Sequence, residues 1–279
     1  MTAGWAWALG MYSVDREWRA QPEATLARVA ALGFAAVESY GDPVMPGARL
    51  ARYLADCGLR HAGAHVEWRR LQPACMAATL ADCAAAGVEC VVVPALGGPW
   101  EIGHTQAQDG PAVWERHAAW LNGLVIAAAR HGMRAGYHTH EHEFCVRYAD
   151  GRTPWQILLA ESDPGLVLEL DTGNCLAAGV DPVVALHQAG ARAAWVHAKP
   201  YGHACGWETT VGAPTDASDW AAILAACVGA TRRWLVFEHE SATVAPGFGG
   251  VEANVTALRT LCSRLGEDLE EHHPDPGEQ

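Results

Sequence analysis

Short apolar segments alternate with longer helical patterns along nearly the whole chain. Strand-like runs lie at 6–10, 34–40, 60–66, 89–96, 134–140, 166–171, 193–199 and 234–240. Helical periodicity follows each run, at 22–33, 47–58, 75–87, 110–132, 153–162, 181–190, 218–229 and 249–266. A strand followed by a helix, repeated eight times, predicts a parallel sheet with right-handed crossover connections.

Both a closed barrel and an open, doubly wound sheet contain this alternation. The open sheet normally has a glycine-rich phosphate-binding turn after its first strand, and the segment LGMYSVD (9–15) has none. We therefore predict a single α/β domain, a (β/α)8 TIM barrel, over residues 1–266. The polar segment 267–279 contains two prolines and is predicted to be a disordered tail.

Composition narrows the classes of partner and the compartment. The formal net charge of −13 disfavours binding to nucleic acid phosphates. Nine cysteines without a CxxC pair indicate reduced thiols and a cytoplasmic protein. The N-terminus has no basic region typical of a signal peptide, and no apolar stretch approaches the ~18 residues of a membrane span. The sequence leaves open whether identical chains assemble.

Four strands in the second half of the chain end in side chains that bind metals or transfer protons. They read AGYHTHEHEF (135–144), LVLELDTGN (166–174), AAWVHAKPY (193–201) and WLVFEHE (234–240). Because the carboxyl ends of barrel strands meet at one mouth, these residues predict a single site. The sequence also contains one lysine, Lys199, among 18 arginines. Unlike arginine, lysine is a compact donor that can lose its proton when desolvated, so we expect a functional role.

Residue parity along each strand predicts which side chains point into the barrel. Positions i and i+2 lie on the same face of a strand. Asp171 therefore shares a face with Glu169, His197 with Lys199, and Glu238 with Glu240. Several buried carboxylates would repel one another and lose their hydration. A divalent cation removes that conflict, and this donor set suits Mn2+ or Mg2+, with Co2+ or Zn2+ as alternatives.

The order and spacing of these motifs resemble the xylose isomerase-like TIM barrels, the sugar phosphate isomerase/epimerase group. The resemblance rests on the strand ends quoted above, on LGMYSVDREWRAQPEATLARVAALGFAAVESYG (9–41), on DPGLVLELDTGNCLAAGVDPVVAL (163–186) and on VGAPTDASDW (211–220). It implies a metal held by Glu143, Asp171, His197 and Glu238. At strand five the ligand remains open, because His138 occupies the position where many relatives have a glutamate and Glu141 is a third alternative.

The resemblance further implies an isomerase or epimerase that moves a proton next to the carbonyl of a small carbohydrate. His140 is the first candidate for proton transfer, and Lys199 for stabilising or protonating an oxygen. Glu143 and Glu238 complete the predicted catalytic set. The pocket is expected to be lined by Glu38, His65, His138 and Trp100, with Trp68 and His104 as further candidates.

Other functions of the same fold remain as alternatives. Paired-glutamate epimerase chemistry matches poorly at strand five, which favours a sugar or inosose dehydratase or a 3-keto-sugar lyase. A non-catalytic sugar-binding or partner subunit is another alternative. An endonuclease IV-like activity is disfavoured by the net charge.

Overall fold

A computed structural model describes residues 5–96, 110–227 and 233–264. Within these ranges the strands form a closed barrel in chain order, and every neighbouring pair is parallel. The strands are β1 (Trp5–Gly10), β2 (Ala36–Tyr40), β3 (Arg60–His65), β4 (Val88–Val93), β5 (Arg134–His138), β6 (Val167–Asp171), β7 (Trp195–Ala198) and β8 (Arg233–Phe237). The predicted (β/α)8 fold is confirmed.

The described α-helices surround the barrel, and three short ones among them were not predicted. The described helices are α1 (Asp15–Ala20), α2 (Pro22–Ala31), α3 (Gly47–Asp56), α4 (Met76–Ala85), α5 (Pro111–Ala129), α6 (Glu141–Cys145), α7 (Pro154–Glu161), α8 (Thr172–Ala177), α9 (Pro182–Ala189), α10 (Trp220–Cys227) and α11 (Phe248–Arg264). Helices α1, α6 and α8 have fewer than two turns, too few for an apolar periodicity. The predicted tail, Trp100 and His104 lie outside the described residues.

Local capping signals explain where several helices begin. Helix α7 starts with a reciprocal capping box, in which the Thr153 hydroxyl accepts from the Gln156 N–H at 3.2 Å and Gln156 Oε1 accepts from the Thr153 N–H at 2.9 Å. Asp181 caps α9 through the N–H of Val183, at 2.8 Å. Proline in the first turn supports both helices.

The strands separate two apolar cores, one inside the barrel and one between the strands and the helices. The inner core fills the amino-terminal part of the barrel with small residues and with Trp195 and Trp234. The indole of Trp195 donates to the carbonyl of Ala62 at 3.0 Å, and that of Trp234 donates to Glu89 at 3.0 Å. Side chains fill this end of the barrel. The interior space that remains for a functional site therefore lies at the carboxyl ends of the strands.

The larger outer core lies between strands and helices. Leu168 and Leu170 of β6 are fully buried in it, whereas Glu169 and Asp171 belong to the opposite face of the same strand. The same strand therefore supplies the outer core with leucine and the interior with carboxylates. Among the helices that the structure describes, none is long and apolar enough to cross a membrane.

Close packing between α3 and α4 makes a testable demand on Gly47. A Cβ atom there would lie 2.3 Å from the carbonyl oxygen of Asp82. We expect Gly47→Ala to lower the free energy of unfolding by about 1–3 kcal/mol, because the backbone of α4 must shift. Gly123→Ala in α5 is the control: nothing lies within 4 Å, and alanine should raise the stability by up to about 1 kcal/mol. Urea unfolding measures both, and equal effects would contradict this packing.

Candidate active site at the carboxyl ends of the strands

Asp171, His197 and Glu238 converge at the carboxyl ends of β6, β7 and β8. One potential ligand atom of each lies within 4.8 Å of the others, and the three residues are 0%, 1% and 7% exposed. The strand register places Asp171 directly beside His197, and His197 Nδ1 lies 3.0 Å from Glu238 Oε2. His138, the last residue of β5, approaches the same group, with its Nε2 atom 3.8 Å from Asp171 Oδ2. We call these four residues the outer cluster.

Glu143, the expected strand-five ligand, does not lie in this cluster. The chain turns into α6 after His140. This turn directs the Glu143 carboxylate back towards the N-terminus of that helix. Glu143 Oε2 accepts from the N–H of His140 at 2.7 Å, and Oε1 contacts the Tyr137 hydroxyl and His142 Nε2. The fully buried carboxylate thus caps a helix, and His138 occupies the strand-five position of the site. Glu141 is half-buried and lines the cavity described below.

A second group of titratable residues lies on the inner side of the outer cluster. Glu169 Oε2 is 2.7 Å from His65 Nε2 and 3.0 Å from His138 Nδ1. Glu38 Oε1 is 2.7 Å from His197 Nε2 and 3.1 Å from His65 Nε2. We call Glu38, His65 and Glu169 the inner bridge.

The inner bridge changes the interpretation of two expected substrate-binding residues. Glu38 is 2% exposed and engages histidines, and it is not among the described residues that line the cavity, whereas His65 is. Burial alone would lower the pKa of His65, but the charges of Glu38 and Glu169 raise it to about 10. Glu169 was not predicted as a site residue. Its place two positions before Asp171, on the inward face of β6, was the available signal.

Lys199 is buried among carboxylates beside the outer cluster. Its Nζ atom lies 2.9 Å from Glu238 Oε1, 3.8 Å from Asp171 Oδ2, and in contact with Glu240. The ammonium group also lies 4.3 Å from the centre of the Trp207 ring. Burial opposes the charged form, but Glu238 and Asp171 outweigh it and raise the pKa of Lys199. The lysine is therefore an ammonium donor at the site.

The outer cluster has the properties of a divalent-cation site. Asp171 Oδ1 caps α8 through the N–H of Asn174 at 2.9 Å, whereas the buried Oδ2 has no hydrogen-bond partner among the described residues. Burial raises the pKa of Asp171 to about 6, although the charge of Lys199 opposes this rise. Ligand atoms about 2.1 Å from one cation lie roughly 3 Å apart, close to the spacing of His197 Nδ1 and Glu238 Oε2. The oxygen and nitrogen donors thus fit a divalent cation.

A cavity of about 770 Å3 opens above the outer cluster. Its walls include His140 from the β5 side, Lys199 and Glu238 from the β7–β8 side, and the ring of Trp207. Burial and the charge of Lys199 lower the pKa of His140 well below its usual value, so its imidazole is neutral at physiological pH. A neutral proton acceptor and an ammonium donor therefore line the same cavity. Trp68 is not among its described lining residues.

The loop after β7 forms one wall of the cavity and is tied to the loop after β8. Glu208 accepts from the Ser241 hydroxyl at 2.5 Å and from the backbone N–H groups of Ala242, Thr243 and Val244 at 3.1–3.2 Å. We call these hydrogen bonds between Glu208 and residues 241–244 the strap. The strap holds Trp207, the residue before Glu208, at the cavity. Tyr201 and Gly206 of the same loop also line the cavity.

The sequence from residue 26 to residue 261 matches the family model described as a xylose isomerase-like TIM barrel. The match covers most of the 279 residues, and the chain belongs to this family. No curated protein matches the sequence.

Several solved structures share the fold. A sugar phosphate isomerase/epimerase from Parabacteroides distasonis has a TM-score of 0.74 and 21% identity, covering 91% of this chain and 93% of that chain. An L-ribulose 3-epimerase has a TM-score of 0.63 and 20% identity over 94% of this chain and 93% of its own. A probable 3-DHS dehydratase from Bacillus anthracis has a TM-score of 0.64 and 13% identity, covering 93% and 99%. At these identities the likeness shows the shared fold.

The backward orientation of Glu143 predicts a structural role for this residue. Glu143→Ala should lower the free energy of unfolding by about 1–3 kcal/mol, because it removes a buried acceptor from Tyr137 and from the N–H of His140. Glu141→Ala in the same helix is the matched control, with an expected change within about 0.5 kcal/mol. Urea unfolding measures both variants. If Glu143→Ala is as stable as the control, the described hydrogen bonds do not support the fold.

Proposed function

We propose that the protein is a divalent-metal-dependent isomerase or epimerase that moves a proton next to the carbonyl group of a small carbohydrate. One observation carries this proposal. Three potential cation ligands, Asp171, His197 and Glu238, lie together beside a cavity whose walls hold a neutral imidazole and a buried ammonium group. Structural neighbours whose names describe sugar isomerases and epimerases support the same class.

Asp171, His197 and Glu238 would hold the cation, with His138 as the strand-five ligand in place of Glu143. When bound, the cation would supply Lewis acidity that polarises a substrate carbonyl and stabilises negative charge on its oxygen. Two imidazoles and two carboxylates favour Mn2+, Co2+ or Zn2+ over Mg2+, which prefers oxygen ligands. Mn2+ remains the first choice, because carboxylate oxygens suit it and it also accepts imidazole.

His140 and Lys199 would divide the proton transfer. The neutral imidazole of His140 can accept a proton from the carbon next to the carbonyl. The ammonium group of Lys199 can donate a hydrogen bond or a proton to the developing oxyanion. Glu238 lies against Lys199 and keeps it charged.

The charges around the cavity favour a neutral carbohydrate over a sugar phosphate. Lys199 is the one lysine or arginine among its described lining residues, and carboxylates surround it. The segment 97–109, which follows β4, contains neither lysine nor arginine in its sequence. A phosphate group normally needs several cationic or N–H donors, so a neutral ketose or polyol ketone fits better.

Elimination is a second candidate reaction, and the position of Glu143 favours it. Epimerisation through two opposed glutamates needs a carboxylate at strand five, where the structure has His138 and a backward-facing Glu143. Elimination of water or of a β-substituent needs one base to form the carbanion and one acid for the leaving group. His140 and Lys199 would provide both.

Proton exchange in deuterated water tests the proposed function. The Mn2+-loaded protein is incubated with neutral ketoses, inososes, 3-keto glycosides and phosphorylated ketoses, and products are followed by NMR. We expect deuterium next to the carbonyl of a neutral sugar, together with an isomer or epimer. His197→Ala should lose both the bound cation and the exchange. Loss of water or of a glycosidic substituent would identify a lyase, and no turnover by the metal-loaded protein would indicate a binding subunit.

Separate variants test the proton-transfer roles. Lys199→Met and His140→Asn should keep the cation and lower the exchange rate by roughly 10²–10⁴-fold. Lys199→Arg should not restore the rate, because a guanidinium cannot occupy the same compact position. His131→Asn, on the exposed surface, is the control for His140→Asn. Near-normal exchange in both Lys199→Met and His140→Asn would assign the chemistry to other residues.

A further inference from the structure

The two histidines of the outer cluster present opposite ring nitrogens to it. His197 directs Nδ1 towards Glu238 Oε2, at 3.0 Å, and Nε2 towards Glu38 Oε1, at 2.7 Å. His138 directs Nε2 towards Asp171 Oδ2, at 3.8 Å, and Nδ1 towards Glu169 Oε2, at 3.0 Å. The inner nitrogen of each ring thus faces the inner bridge: Glu169 is the partner of His138, and Glu38 is the nearer partner of His197, whose Nε2 atom also lies 3.4 Å from Glu169 Oε2.

The protonation of imidazole decides which ring nitrogen can bind a cation in this geometry. A neutral imidazole has one nitrogen that donates a hydrogen bond and one that can accept a hydrogen bond or bind a metal. If the outer nitrogen binds the cation, the inner nitrogen carries the proton and donates it to a carboxylate. A carboxylate in that position holds the ring in one tautomer and one orientation, and increases its basicity as a ligand.

We propose that Glu38 and Glu169 are positioning residues that fix the tautomers of the two histidine ligands, so that His197 binds a cation through Nδ1 and His138 through Nε2. This inference rests on the metal centre of the proposed function. It gives Glu38, expected from the sequence to bind substrate, a different task.

His65 joins the two carboxylates into one unit. Its Nε2 atom lies 2.7 Å from Glu169 Oε2 and 3.1 Å from Glu38 Oε1, the same oxygens that face His138 and His197. Gly63 makes room for Glu38, because a Cβ atom there would lie 2.3 Å from Glu38 Oε2. The inner bridge thus crosses the barrel from β2 through β3 to β6, with His65 in contact with both carboxylates.

An inner cation is the rival explanation for these residues. His65, His138, Glu169 and His197 also have ligand atoms within 4.8 Å of one another, and Glu38 Oε2 and Glu169 Oε1 have no hydrogen-bond partner among the described residues. Simultaneous inner and outer cations would, however, require both nitrogens of His138 and of His197 as ligands. Both rings would then be imidazolates, which neutral histidine ligands are not.

Metal affinity and ring protonation test the proposal independently of turnover. Titration of the metal-free protein with Mn2+ should give one cation per chain. Glu38→Gln and Glu169→Gln should each raise the Kd roughly 10–100-fold. Glu89→Gln, a barrel glutamate at the opposite end that accepts from Trp234, should leave the Kd unchanged. Thermal unfolding without metal checks that each variant folds.

The Zn2+-loaded protein supplies the spectroscopic readout. Nitrogen-15 NMR of its histidine rings should show the proton on Nε2 of His197 and on Nδ1 of His138. Glu38→Gln should shift the His197 signals most, and Glu169→Gln those of His138. If either glutamine variant fails to fold, His65→Gln takes its place, and it should also weaken Mn2+ binding.

Each outcome separates this inference from the proposed function. Unchanged affinity in the variants, the reverse protonation pattern, or two cations per chain would overturn the inference. Weaker binding in the variants without any proton exchange on sugars would support the inference and contradict the proposed function. No cation binding by the unmodified protein would overturn both.

Discussion

Repulsion among buried carboxylates is the constraint on which the site depends. Glu38 lies on β2, Glu169 and Asp171 on β6, and Glu238 directly after β8, and each is at most 7% exposed. Without compensation, each would be far more costly to bury than the leucines on the opposite faces of the strands. Three histidine rings, the ammonium group of Lys199 and the backbone N–H of Asn174 at the start of α8 provide compensation. Because these partners are shared, the carboxylates form one connected system across the barrel.

Strand periodicity made much of this arrangement predictable. Alternation on β6, β7 and β8 placed Asp171, His197 and Glu238 inside the barrel, and closure in chain order brought them together. The helices with a clear apolar period were predictable in a similar way, from the helical spacing of their apolar residues. Their ends agree with the sequence to within a few residues, because glycine and proline mark them.

Prediction failed where the outcome depends on a short turn or on a distant partner. Whether the chain continues as a strand after His138 or turns into α6 is decided over five residues, and that turn directs Glu143 away from the site. The sequence shows that Glu169 faces the barrel interior, but it does not show its partner, because His65 lies 104 positions earlier. Contacts of this kind follow from barrel closure, which a local pattern does not encode.

The strap formed by Glu208 has a consequence for how the pocket can diverge among related proteins. Its carboxylate gathers the hydroxyl and N–H groups of residues 241–244, so that the loops following β7 and β8 behave as one piece. Trp207 and Glu240, one from each loop, face the same cavity. A change of substrate preference that repositions one loop must therefore carry the other with it. Homologues that lost this glutamate would be free to remodel the two walls separately, and pocket diversity should be greatest among them.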